Sequence, residues 1–402
     1  MWSRFIADGR AGAAPIFALA LVPVVGLVGA AVDYSRGNAV RAALQASLDA
    51  TALILSRDAA GMDPSQVSAK ATSLFKAQFI RAEMPEPTVT AVLSSPQQGS
   101  FILDVKASGS IATTFTKVIG QQQLDVSSSA QVKWGVKKLE LALVLDNTGS
   151  MASNGKITEL KTASKTLLTT LKDAAKELGD VKVAIIPFDK IVNIGTSFAA
   201  SGFIDYSVHN IQQSSWQGCV QDRDQPNDTL DTPPDSSSST KYPAVSCSGI
   251  TSIMPLTDVL DTTGFTNLNA KIDAMNPAGN TNVTIGLVWG WHALTKSDPM
   301  TEGSDPSPDK DKVIVLLTDG DNTQNRWTTS GSSIDARTAA ACTNVKGANI
   351  KVYTVRVIDG DATLLRNCAS KTNMYYEVTQ ASQLNSVFTS IAQNLANLRI
   401  AK

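Results

Sequence analysis

Four apolar runs constrain this chain more than any other feature: "LELALVLD" (139–146), "VKVAIIPF" (181–188), "KVIVLLTD" (312–319) and "IKVYTVRVI" (350–358). Each is dense in Val, Ile and Leu, with too few polar residues for one wet face, so each reads as a strand covered on both sides. Helical stretches at about 156–178 and 334–346, a short strand "MYYEV" and a closing helix fill the intervals. Such alternation specifies an α/β fold with a doubly wound, mostly parallel sheet over residues 137–402. Between Ser201 and Pro255 the alternation stops. "DQPNDTLDTPPDSSSSTKYPAVSCSG" lies there, rich in Pro, Asp and Ser, and reads as an irregular insertion.

The front of the chain follows a different rule. Residues 11–32, "AGAAPIFALALVPVVGLVGAAV", carry no charge, and as a helix they would reach roughly 33 Å, about one bilayer. A signal peptide is the rival reading, with Arg4 and Arg10 as its basic end and Gly29, Ala30 and Ala31 as a processing site. Val40, Leu44, Leu48, Thr51 and Leu55 continue the helical spacing. The reading adopted is therefore a retained transmembrane helix that runs on out of the membrane, since cleavage would cut one element in two. A second helix at about 64–82 and the β-rich runs "TVTAVLSS", "FILDVKAS" and "LDVSSSAQVKW" complete a small α+β stalk domain over 33–136, and residues 1–10 form a short cytoplasmic tail.

Arg4 and Arg10 before the span balance Arg36 and Arg41 after it, so basic residues do not set the orientation. Cysteine does. Cys219, Cys247, Cys342 and Cys368 are an even set with neither zinc spacing nor a nearby His. The pairs 219–247 and 342–368 each close a loop local to one region, which places the bulk of the chain in an oxidising compartment: the periplasm, or the cell surface after export. With 35 basic and 36 acidic residues, a net charge of −1 and no basic run, nucleic acid is excluded as a partner.

In open α/β sheets ligands gather at the carboxyl ends of the strands. Asp146 ends the first apolar run and is followed by Thr148 and Ser150 in "DNTGSM", with Gly149 expected to bend the loop. Asp319 ends a second run, and "NPAGNTNVTIGL" brings Thr281 to the same rim ahead of a helix. Two carboxylates and three hydroxyls form an all-oxygen set that suits a hard cation, Mg²⁺ or Mn²⁺, that keeps some of its waters. Two negative charges leave that cation short of anionic ligands and open to a carboxylate from a partner protein.

Asp146, Thr148, Ser150, Thr281 and Asp319, in that order and strand context, resemble the metal-ion-dependent adhesion site of von Willebrand factor A domains, with Thr148 where Ser is usual. The resemblance covers about 137–402 and implies a metal-dependent adhesion domain. The segment "GRAGAAPIFALALVPVVGLVGAAVDYSRGNAVRAALQASLDATAL" resembles the amino end of Tad pilus-assembly proteins of the TadG-like type. Pilin-like relatives of that group are cleaved at a Gly followed by a Glu near the fifth position, and neither Gly9 nor Gly12 has one. The resemblance implies a membrane-anchored binding protein of Tad-type pilus assembly or surface adhesion, whose partner is a pilus component or surface ligand offering Glu or Asp. The alternative is a pilin-like structural subunit that polymerises through the Val40–Leu55 face, with an incidental metal site.

Enzymatic readings are weaker. "DNTGS" is near the phosphorylated "DKTGT" of P-type pumps, but Asn147 replaces the Lys and there is one span. Gly155 and Lys156 follow a strand in the manner of a phosphate loop, but Ile157 stands where a Mg²⁺-binding hydroxyl is needed. There is no HExxH and no GxSxG. His209, His292, Trp289 and Trp291 are expected to be surface or packing residues.

Overall fold

The computed structural model describes residues 13–59, 62–97, 100–135, 137–247 and 249–400. The expected cytoplasmic tail, with Arg4 and Arg10, and the first two residues of the span lie outside them. The chain divides into two compact units, Met1–Gly135 and Val136–Ala401.

In the first unit helix α1 (Ala13–Ser56) runs without interruption from the apolar segment into the stalk. Helix α2 (Pro64–Gln78) follows, then three antiparallel strands, β1 (Thr88–Gln97), β2 (Ser100–Ala112) and β3 (Gln123–Gly135), in the order β1-β2-β3. The α2 N-terminus is capped by Asp63, whose side chain accepts the Ser65 N–H while Gln66 reaches back to the Asp63 N–H. The helix stops at Gln78, short of the expected Ala82, because Phe79 turns extended (φ −98°, ψ 97°). The core packs Val40, Leu44, Leu48 and Leu55 of α1 against Phe75 of α2 and Leu103, Val105 and Val126 of the sheet. The chain's own sheet and second helix therefore cover the Val40–Leu55 face, and it is not free to join another copy. Along residues 16–32, by contrast, Ile16, Phe17, Leu19, Leu27 and Val28 are exposed on the helix.

The second unit is built on a six-stranded sheet ordered β10-β5-β4-β11-β12-β13. Its strands are β4 (Lys138–Asp146), β5 (Val181–Phe188), β10 (Met254–Asp258), β11 (Lys310–Thr318), β12 (Lys351–Val357) and β13 (Tyr375–Val378). All pairings are parallel except at the edge, where β10 runs against β5. Alternate residues divide between two cores. Leu141, Leu143, Val183, Val315 and Val355 face α3 (Lys156–Ala174), α4 (Thr262–Asp273) and α8 (Leu384–Ile400). Ala142, Val144, Ile186, Ile314 and Val352 face α5 (Val283–Ala293), α6 (Gly331–Gly347) and α7 (Ala362–Cys368). Burial on both sides is what the continuous apolar runs require. Helix α3 ends at Ala174 rather than Leu178, because Asp180 takes the Lys176 and Glu177 N–H groups into a tight turn.

The region between β5 and β10 carries four very short strands, β6 (Val192–Asn193), β7 (Ile204–Asp205), β8 (Cys219–Val220) and β9 (Tyr242–Val245), which pair in the order β6-β8-β9-β7. Cys219 is bonded to Cys247 in this region, and Cys342 of α6 to Cys368 of α7. Trp289, Trp291 and His292 are buried in the core on α5, while His209 is exposed.

Candidate metal centre

The chain enters the sheet at β4, winds outward to β5 and β10, then returns to add β11 on the other side of β4. The strand order thus reverses between β4 and β11, and ligand crevices of open α/β sheets form at such a switch point. Register pairs Leu145 with Leu317, so Asp146 and Asp319 emerge side by side at the carboxyl edge. Both are buried.

Hydrogen bonds link four of the five candidate ligands, Asp146, Thr148, Ser150 and Asp319. Ser150 Oγ donates to Asp319 Oδ1 at 2.6 Å and lies 3.0 Å from Thr148 Oγ1. Asp146 Oδ1 accepts the Thr148 N–H at 2.8 Å, and its Oδ2 accepts the Thr318 hydroxyl at 2.6 Å. Thr281 arrives from the opposite loop: a Cβ placed on Gly320 would lie 3.7 Å from Ser150 Oγ and 3.9 Å from Thr281 Oγ1. Backbone bonds from Gly149 N–H to Gly279 O (3.0 Å) and from Ala278 N–H to Asn147 O (2.9 Å) lace the two loops together. Gly149 serves close approach rather than a left-handed bend, which falls instead at Gly279 (φ +82°).

Charge is concentrated at this rim. Burial, reinforced by the charge on Asp319, pushes the Asp146 carboxyl up to about 6. Lys156, the first residue of α3, turns its ammonium onto Asp319 Oδ2, and the two side chains are only 4% and 0% exposed. Among the described residues that oxygen has no hydrogen bond from any other group, so the ion pair is what satisfies it. Among the described residues no three His, Cys, Asp or Glu side chains gather as a metal cluster. The donor set here is instead two carboxylates and three hydroxyls, sparse in charge and all oxygen, and it suits Mg²⁺ or Mn²⁺ better than a softer metal.

Lys156 escaped the sequence reading because nothing in "SNGKIT" says that the first side chain of a helix turns inward. Asp189 escaped as well. It follows the Phe188 end of β5, is buried, accepts the Ile191 N–H at 2.7 Å, and its carboxylate fills the space a side chain at Gly279 would need. The signal was an acid directly after an apolar run, in "AIIPFD", as at Asp146.

The insertion is fastened beside this rim. Buried Asp222 accepts from Asn282 Nδ2 at 3.0 and 2.9 Å, one residue past Thr281, and from the Arg326 N–H at 3.2 Å. Burial raises the Asp222 carboxyl to about 6. Asp228 holds Arg337 of α6 through two nitrogens. His292 bridges Asp231 (2.6 Å from Nδ1) and Tyr242 (2.6 Å from Nε2).

A doubly wound sheet with an oxygen-lined rim at its switch point is that of an open α/β domain. Sequence comparison names it: the model of the von Willebrand factor type A domain matches residues 244–390, and that of the putative Flp pilus-assembly TadE/G-like domain matches 12–55. The chain carries both. The first match takes in Thr281 and Asp319 and begins beyond Asp146, Thr148 and Ser150, which join the same sheet through β4. None of the curated proteins matches the chain.

Among solved structures, the pilus adhesin SpaC from Lactobacillus rhamnosus GG is similar at 14% identity over 80% of this chain and 36% of its own, with a TM-score of 0.43. The vWF domain of the type V pili tip protein Mfa5 from Porphyromonas gingivalis is 12% identical over 66% of this chain and 97% of its own (TM-score 0.41). A von Willebrand factor type A protein from Catenulispora acidiphila is 13% identical over 79% and 52% (TM-score 0.38). The chain thus spans about a third of SpaC.

Proposed function

We propose that this chain is a non-enzymatic, membrane-anchored binding protein of Tad-type pilus assembly or surface adhesion. Residues 1–10 would lie in the cytoplasm, 11–32 cross the inner membrane, 33–136 form the stalk, and 137–402 work in the periplasm or, after export, at the cell surface. Asp146, Thr148, Ser150, Thr281 and Asp319 would hold Mg²⁺ or Mn²⁺, directly or through water. Bound there, the ion supplies a Lewis-acidic position that a Glu or Asp carboxylate of a partner protein completes.

The observation that carries the reading is the meeting of two buried carboxylates at the switch point, with the Lys156 ammonium against one of them. With both carboxylates ionised, two negative charges against Lys156 and a divalent ion leave the centre net positive, and an outside carboxylate corrects that. The loop after Asp319 is tied to Thr281 through the Thr323 and Gln324 N–H groups and presents half-exposed Trp327 with the Arg326 guanidinium 4.2 Å from its ring. An aromatic and an arginine beside a metal rim suit a protein partner. The test is complementation of cells lacking the protein. Wild type should restore attachment or pilus display in Mg²⁺ and lose it in EDTA, and Asp146→Ala should fail although it reaches the membrane. Full restoration by Asp146→Ala would overturn the reading.

A further inference from the structure

The tip between β2 and β3 descends along α1 toward its apolar end. Ile111 lies against Gly37, and Phe115 crosses Gly29, where a Cβ would collide with its ring. Between those points Asp33, buried and the first charge after the apolar segment, accepts the N–H groups of Thr114 (3.0 Å), Phe115 (2.9 Å) and Thr116 (2.8 Å) and the Thr116 hydroxyl (3.0 Å). Arg36 adds a bond to Thr114 Oγ1 at 2.7 Å. Four donors satisfy the carboxylate without water, which a charge at the boundary of a hydrocarbon layer requires.

A tip fixed so firmly would be expected to bury its apolar residues, yet Val118 is 89% exposed, Ile119 71% and Phe115 44%. Leu27, Val28 and Val32 of α1 are exposed as well, within a few positions of Gly29 and Asp33, where the tip touches the helix. Exposed Tyr34 (60%), Arg36 and Lys117 flank Asp33 and Thr116 in sequence. An apolar wedge flanked in sequence by an aromatic and two basic residues is the composition of a membrane interface.

We propose that the β2–β3 tip is a second membrane contact, with Phe115, Val118 and Ile119 seated in the interfacial layer of the bilayer that α1 crosses and Lys117 reaching the headgroups. The contact rests on α1 being a retained span. Lipid is favoured over a second copy because the exposed tip is clamped to α1 at Gly29 and Asp33, where the exposed apolar segment of the helix ends. Two points of attachment fix the rotation and tilt of α1, which a lone helix leaves loose.

The test uses the full chain in nanodiscs of phosphatidylcholine and phosphatidylglycerol, with an environment-sensitive fluorophore on one introduced cysteine, the native four being bonded. Labels at Val118→Cys and Ile119→Cys should be quenched by spin-labelled acyl chains and reduced by aqueous dithionite several-fold more slowly than a label at Lys106→Cys. A label at Leu21→Cys reports the span itself. Quenching at Leu21 with fast dithionite reduction at 118 and 119 would overturn the wedge and leave the anchor standing. Protection at 118 and 119 from both quenchers would overturn it in favour of a protein cover. No quenching at Leu21 would overturn the span and the wedge with it.

Discussion

Lys156→Met removes the ammonium that pairs with Asp319 while keeping most of the apolar stem. The Lys156–Asp319 pair is nine-tenths or more buried on both sides, and breaking a buried pair by deleting one partner costs about 3–5 kcal/mol, because the remaining charge is left uncompensated. Here Asp146 stands beside Asp319 and sharpens the penalty. In EDTA at pH 8 the variant should lose that amount, on the order of 10 °C in melting temperature for a unit of this size. With saturating Mg²⁺ the loss should shrink, since a divalent ion would answer the same two carboxylates. At pH 5 it should shrink without metal, because Asp146, already raised to about 6, takes up a proton. Thermal unfolding in EDTA and in Mg²⁺ is the assay. Equal losses in both buffers, or a loss below about 1 kcal/mol as for an exposed pair, would refute the reasoning.

The other predictions concern the insertion. Asp222, whose carboxyl burial raises to about 6 from an ordinary 3.8, holds its proton more tightly folded than unfolded. Its contribution to stability is complete below about pH 4 and lost as pH rises through 6, so Asp222→Asn should flatten the fall between pH 4 and 7 by up to about 3 kcal/mol, read from denaturant midpoints. Replacing Cys219 and Cys247 together by Ser should cost about 2–5 kcal/mol and make the 201–255 segment the first site of proteolysis. Tyr242→Phe deprives buried His292 of its Nε2 partner and should cost about 1–3 kcal/mol in chemical denaturation, with the secondary structure unchanged.

The sheet was legible because a strand covered on both faces must be apolar at every position. Leu141 and Ala142, adjacent in sequence, enter opposite cores. The meeting of Asp146 with Asp319 was legible too, since both close such runs and parallel register carries their ends to one edge. Edge strand β10 was not: it is short, contains Pro255 and pairs irregularly with β5, so it lacks the apolar density of a central strand. Helix ends set by a distant turn, as at Asp180, and side chains directed by a cap, as at Lys156, depend on geometry that periodicity does not record. The fastening of the insertion by Asp222, Asp228 and Asp231 joins residues 60 or more positions apart, and the acids look like any others in a Pro, Asp and Ser rich stretch. On α1 the spacing of Val40, Leu44 and Leu48 revealed an inward face without revealing that its own sheet would cover it.

The central claim is that Asp146 and its neighbours hold a divalent ion, and isothermal titration of Mg²⁺ and Mn²⁺ into the EDTA-treated, dialysed chain tests it most directly. One site per chain is expected for the wild type, retained by Thr148→Ser, which keeps the hydroxyl, and abolished by Asp146→Ala with the fold intact by circular dichroism. Absence of metal uptake by the wild type, or undiminished uptake by Asp146→Ala, would contradict it.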